Sequence, residues 1–200
     1  MGIHVSPSMT LPVELPLPRV RFLASGRIRA VLMPTRKYER LQRDDLLWLR
    51  ESITVDERRS TGSVLVFRYA GDAKPYELNW PAVQARPGSG IRPAEAMPIV
   101  ASRWTLQVRM VTTMRLSQLD EESAISCGSD PTFGGGFVPV GAIEGFQPFG
   151  SAAECERFVW DSRFGQGAAA KNPEVVLIQF RALSRNIADL VPGMGKGGVL

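Results

Sequence analysis

Between positions 19 and 43 the chain carries eight basic residues, Arg19, Arg21, Arg27, Arg29, Arg36, Lys37, Arg40 and Arg43, against one acid, Glu39. Side chains of this type at this density neutralise phosphates or other anions, and the local balance of +7 exceeds the +4 of the whole chain. The segment runs into Asp44-Asp45-Leu46-Leu47-Trp48-Leu49-Arg50-Glu51, a continuous apolar stretch between charged ends. Such a stretch predicts an interior strand that delivers Arg50 and Glu51 to its exit. A basic loop feeding a rigid strand suits an anion or a nucleic-acid strand, with a solvated charged turn as the plain alternative.

Composition narrows the chemistry. The only histidine is His4, and Cys127 and Cys155 are the only cysteines, without metal-ligand spacing. Triad hydrolysis, Cys-His nucleophilic catalysis and histidine-bound zinc all need a well-placed imidazole, so neither a metal nor a cofactor is expected. Two isolated cysteines suit a reducing, cytoplasmic setting. No apolar run approaches the roughly 18 to 20 residues of a membrane span, and no export signal is read at the N-terminus. Gly2 and Ser6 fit the short myristoylation pattern, a match too common to carry weight. Arginine supplies 20 of the 24 basic residues. That bias can reflect a GC-rich genome, so the local cluster says more about a partner than the pI near 9.4 does.

The elements that must position these residues follow in order. Residues 1–17, with Pro7, Pro12 and Pro16, read as an extended arm, and one domain is expected over 18–185. Val20 to Leu23 reads as a short strand, and Ser25 to Leu32 as a helix stopped by Pro34. Strands are predicted at Leu46 to Leu49, Val64 to Tyr69, Trp104 to Val111 and Val175 to Phe180. Residues 71–98 and 129–150, rich in Gly and Pro, read as long loop insertions, the first carrying Trp80. Ser117 to Asp120 has capping-box spacing for a helix ending near Gly128. Ser151 with Glu154 repeats it for a helix whose Phe158, Val159 and Trp160 face the core. Residues 186–200 read as a Gly-rich tail; Gly193 to Lys196 lacks the hydroxyl residue and helix of a phosphate loop. Short strands with a few short helices spell an α+β domain with a small curved or closed sheet.

Five pieces in this order resemble a known family. Arg29-Ala30-Val31-Leu32, the basic loop and Asp45 to Glu51 are similar to the ASCH domain in its phage and prophage form. There a helix ends in a Gly-Arg-Lys-Thr-Gln-Thr-Arg loop and a Gly-Asp-x-Leu-Trp-Val-Arg-Glu strand follows. Arg92-Pro93, Met97-Pro98 and Ala101-Ser102-Arg103 resemble its Arg-Pro…Met-Pro-x-x-Ala-Ser-Arg run. Leu119 to Ile125 is similar to its Ile-Ser-Glu-Glu-Asp-Ala-Ile helix, and Trp160-Asp161-Ser162 with Asn172-Pro173 to its ending.

The resemblance implies a PUA-like β-barrel with short helices at its rim and a cleft for RNA or a modified nucleoside beside the basic loop. Arg29, Arg36, Lys37, Arg40, Arg43, Arg50 and Arg103 become the candidates for binding a nucleic acid, nucleotide or other anion, and Lys37 and Glu51 the candidates for catalysis. Some family members are amidohydrolases that deacetylate acetylcytidine with a lysine and a threonine of the loop and a glutamate after the Ser-Glu-Glu helix; others are linked to RNA binding or cleavage. Here, without a gap, the lysine falls on Arg36 and the threonines on Lys37 and Glu39. With one residue inserted, Lys37 replaces the lysine, and Tyr38 and Arg40 the threonines. The glutamate falls on Cys127. An arginine stays charged at any working pH and cannot act as a base. The leading expectation is an RNA- or nucleoside-binding module without efficient catalysis. A divergent amidohydrolase or ribonuclease of the same fold, and a phage-related structural or host-interaction protein, stand as alternatives.

Overall fold

The computed structural model describes residues 9–80 and 87–191. In chain order the elements are β1 (Thr10–Glu14), α1 (Leu17–Arg21), β2 (Ala30–Pro34), α2 (Thr35–Tyr38), β3 (Leu46–Arg50), β4 (Ile53–Val55), β5 (Val64–Tyr69) and β6 (Tyr76–Asn79). There follow β7 (Gly90–Arg92), β8 (Thr105–Arg115), α3 (Glu121–Cys127), β9 (Ser129–Pro131), β10 (Phe137–Pro139), α4 (Ala152–Phe164) and β11 (Glu174–Leu183), with single 3-10 turns between some of them. The fold is mixed α+β. The chain forms two compact units, one holding residues 9–17, 46–80, 87–106 and 183–191, the other 18–45 and 107–182. The expected domain over 18–185 thus draws on both units, and the expected arm contributes β1 to the first.

In the first unit β1 pairs in parallel with β3, Thr10 opposite Leu46 and Glu14 opposite Arg50. The Leu49 N–H donates to Trp104 O at the start of β8. An antiparallel sheet in the order β6-β5-β4-β7 completes the unit. Its core gathers Leu46, Trp48, Ile53, Phe67, Trp80 and Ile187, among others. Trp80 therefore belongs to the core, and β6 and β7 lie inside what the sequence suggests is a loop insertion. Strands of four and three residues are too short to show a period, and burial of Trp80 beside them supplies the missing order. The tail reading also changes: Asn186 Nδ2 donates to the carbonyls of Ile99, Val100 and Ser102 at 3.0, 3.0 and 2.7 Å, and Ile187 is fully buried. Gly193 to Lys196 and His4 lie outside the described residues.

In the second unit the strand order is β8-β11-β2, with Val175 opposite Pro34 and Gln179 opposite Ala30. The core here holds Ala30, Leu32, Leu116, Cys127, Trp160 and Leu177. The segment expected to be helical from Ser25 to Leu32 ends in β2, because pairing with β11 buries both faces of Ala30 to Leu32 and overrides local preference. Val20, expected in a strand, lies in α1, whose Pro18 occupies the first turn, where a missing N–H costs nothing. The loop expected over 129–150 contains the β9–β10 hairpin. Asp120 itself caps α3 by accepting from Ser123 N–H at 2.7 Å, and α3 stops at Gly128, whose φ of 118° suits glycine. Ser151 caps α4 as expected. Val159 and Trp160 are buried, but Phe158 is exposed and packs its ring 5.7 and 5.2 Å from those of Phe146 and Phe149. Among the described residues no strand order returns to its starting strand, so the sheets are open.

Candidate nucleic-acid interface

The basic segment is shaped by two anchors three residues apart. Pro34, with φ −60° and ψ 136°, ends β2, and the single turn of α2 closes with Glu39 N–H donating to Thr35 O at 3.0 Å. Tyr38 and Leu41 point inward and are buried. Arg36, Lys37 and Arg40 consequently lie on the exposed side of the same turn. The Lys37 ammonium sits 5.1 Å from the Tyr38 ring centroid. Among the described residues Arg36 and Arg40 have no carboxylate within ion-pair distance.

The rest of the sequence cluster is partly spent. Arg19 is buried and paired with Glu156, which also accepts from Ser129 Oγ at 3.1 Å. Arg27 pairs with Asp130 and lies 4.6 Å from the Phe22 ring. Arg29 is exposed, while its backbone N–H donates to Ser126 O and its carbonyl accepts from Phe180 N–H, both at 2.9 Å.

The turn after α2 is closed by Asp45, buried, whose Oδ2 accepts from Gln42 N–H at 2.8 Å. Asp44 next to it adopts φ 71°, in the left-handed region. Asp tolerates that conformation better than most side chains. Its N–H donates to Val108 O and Val108 N–H donates to Asp45 O, both at 2.9 Å, which fastens the turn to β8. Asp44 Oδ1 accepts from Gln107 Nε2 at 2.9 Å. Arg43 Nε stands 3.9 Å from Asp44 Oδ2, and Arg109 Nη1 stands 4.0 Å from Oδ1.

Arg50, Glu51 and Arg103 belong to the first unit and form a different kind of cluster. Arg103 Nε and Nη2 donate to the two oxygens of Glu51 at 2.8 and 2.7 Å, and Nη1 donates to Asp72 Oδ2 at 2.6 Å. The same guanidinium lies 4.0 Å from the Tyr69 ring centroid, and Tyr76 Oη donates to Asp72 Oδ2 at 3.1 Å. Tyr69 Oη in turn donates to Ala101 O at 2.5 Å. Burial pushes the Glu51 carboxyl above the usual carboxylate range, the Arg103 hydrogen bonds only partly opposing it. Burial likewise raises the Tyr69 phenol. Two acids thus enclose one base, and the Glu51 oxygens are held by the fork of Arg103, so this cluster as built neither seats an anion nor offers a free base. Arg50 lies 4.8 Å from the Trp48 ring, its Nε buried without a hydrogen-bond partner.

The structure therefore brings Glu51 and Arg103 together and sets Arg36, Lys37 and Arg40 on one turn, while Lys37 and Glu51 fall in different units. Cys127 is fully buried, and burial drives its thiol far up; Cys155 is pushed up to about 11 by the same cause. Neither is a nucleophile in this state. Sequence reasoning missed Asp72, Tyr69 and Tyr76, and also Asp44, Gln107 and Arg109. β8 sets positions 107 and 109 on one face, but nothing in the sequence marks either of them. Among the described residues no helix is long and apolar enough to cross a membrane, and no His, Cys, Asp and Glu group suits a metal ion. Comparison with family models, curated proteins and solved structures finds no match.

Proposed function

We propose that the chain is an RNA- or nucleoside-binding module of ASCH type, on a PUA-like scaffold, acting in a reducing cytoplasmic setting of phage or prophage origin. Its anion-binding surface is the turn of α2 and the residues that follow. The observation that carries this reading is the outward display of Arg36, Lys37 and Arg40 by the buried pair Tyr38 and Leu41, with no acid paired to Arg36 or Arg40 among the described residues. Two cysteines that are free and buried agree with a reducing compartment. Efficient catalysis is not part of the proposal. The lysine and threonines of the family's set are replaced in one loop alignment, the threonines in both, and the glutamate is replaced by a buried thiol; losing a general base alone costs about 100- to 10,000-fold in rate.

The test is binding of a short labelled single-stranded RNA, followed by fluorescence anisotropy across a salt series. Each neutralised phosphate on a single strand contributes about 0.7 to the slope of log affinity against log salt. Three contacts give a slope near about −2, and replacing Arg36 and Lys37 together by alanine flattens it by roughly 1.4. A double variant with the parental slope refutes the interface. Acetylcytidine turnover at an ordinary enzymatic rate, abolished by Lys37→Ala or Glu51→Ala, would instead favour the amidohydrolase.

A further inference from the structure

On one side, β8 runs past the end of its pairing. The Asp44 N–H donates to Val108 O and the Val108 N–H donates to Asp45 O, so two residues face one across a bulge whose first member is left-handed at φ 71°. Such a bulge terminates a ladder, and the chain ahead of it turns off through Gln42 and Arg43, both exposed. β8 itself continues to Arg115. In an antiparallel strand the N–H and C=O of alternate residues point to the same side, so those of Met110, Thr112 and Met114 point the way Val108 points. Among the described residues no strand continues that side past Val108, and β11 is the neighbour on the other. Every residue from 109 to 115 is exposed or half-buried, Met110 at 47%.

We infer that this edge of β8 takes an extended acidic segment of a partner protein as an added strand. The open row of N–H and C=O groups supplies the ladder, and the side chains choose the partner. Met110 to Met114 read Met-Val-Thr-Thr-Met, apolar and β-branched enough to pack against a second strand. Arg109 and Arg115 close the two ends of this stretch on one face. Their charges are not closely met: Arg109 Nη1 stands 4.0 Å from Asp44 Oδ1, and Arg115 Nη1 reaches only the Asn172 carbonyl, at 3.4 Å. Carboxylates opposite these two positions complete the pairing. A second copy of the chain does not, because antiparallel pairing about Thr112 sets Arg109 against Arg115 at both ends. The inference is independent of the RNA reading, which concerns the α2 turn.

The probe is a labelled peptide, Glu-Val-Thr-Val-Thr-Val-Glu, blocked at both ends and titrated by anisotropy at low salt. Run in either direction, it sets valines against Met110, Thr112 and Met114 and glutamates against the two arginines. The same peptide with lysines for glutamates should bind about tenfold more weakly, two attractive cross-strand pairs having become repulsive. Only alternate N–H groups of an added strand face β8. N-methylating the valines or the threonines should therefore abolish binding in one case and leave it nearly unchanged in the other. Thr112→Pro removes the central N–H of the edge, a change an edge strand tolerates where that N–H faces solvent, and should lose the peptide. Thermal melts show whether this variant is folded, and the peptide comparisons need no variant. No binding of the glutamate peptide, equal binding of the lysine peptide, or equal effects of the two methylations would each overturn the inference. A dimer in sedimentation that Thr112→Pro dissolves would also overturn it and assign the edge to a second copy.

Discussion

The two charged clusters use the same residue types to opposite ends. Around Arg103 every strong donor has a carboxylate at 2.6 to 2.8 Å, and an aromatic ring covers the guanidinium face. Around α2 the cations stand out from buried anchors, and the contacts of Arg43 and Arg109 with Asp44 are 3.9 to 4.0 Å long. An arginine count alone therefore says little about anion binding; what matters is whether acids close by have already met the demand. The first cluster is suited to holding its unit together, the second to exchanging partners.

The largest effect that tests this contrast is on stability. Arg103→Ala leaves the buried Glu51 carboxylate without its fork, and breaking such a pair costs about 3 kcal/mol, the low end for buried pairs because Arg103 is 26% exposed. Urea unfolding followed by tryptophan fluorescence measures it, with Trp48, Trp80 and Trp104 all in the first unit. The same substitution should leave the salt slope of RNA binding unchanged. The mirror experiment is Arg36→Ala with Lys37→Ala, which should flatten that slope yet shift stability by less than about 0.5 kcal/mol. If the two variants behave alike in both assays, the contrast fails.

A pH series sharpens the first half. The carboxyl of Glu51 has a folded pKa above its unfolded value, so its contribution to stability is fully present below the unfolded value and is lost as pH rises through the folded one. Stability of the wild type relative to Glu51→Gln should therefore decline as pH rises through the raised folded pKa, and a flat difference would mean that Glu51 titrates as it does in the unfolded chain. The smallest effect concerns a cap. Asp120→Ala should cost about 1 kcal/mol at pH 7, whereas Ser117→Ala should cost little. The Asp120 carboxyl is held below its usual range, chiefly by the Ser123 N–H, so its contribution is present above the unfolded pKa and lost as pH falls through the folded one. Equal costs at neutral and strongly acid pH would refute that assignment.

How legible each part was depended on the range of the interactions that decide it. β3, β5, β8 and β11 are visible because their apolar runs carry their own pattern. β2 is not: Ile28 to Leu32 has no strong local preference, and β11, about 145 residues further along, decides its state. Arg50, Glu51 and Arg103 stand out through motif position, but that Arg103 would be saturated depends on Asp72, a residue in a stretch that reads as loop. The α2 display was half legible. Charge density marks the segment, but the inward turn of Tyr38 and Leu41 and the loss of Arg19 to Glu156 are tertiary facts. Gln107 carries no mark at all, being an ordinary polar residue until the partner of one amide atom, and the lack of one for the other, is known.

The bonds of Asn186 also set an order of events during synthesis. The first unit is assembled from separate stretches of chain, and its 3-10 turn at Ile99–Ala101 is tied to Ser102, just ahead of β8, by the one side chain of Asn186. All of the second unit precedes that residue. On the ribosome the second unit can therefore mature while the first still waits, with Trp80 and Met97 lacking the Ile187 side chain that completes their core. A ribosome stalled before Asn186 emerges leaves the first unit exposed to chaperones and proteases until that residue is made.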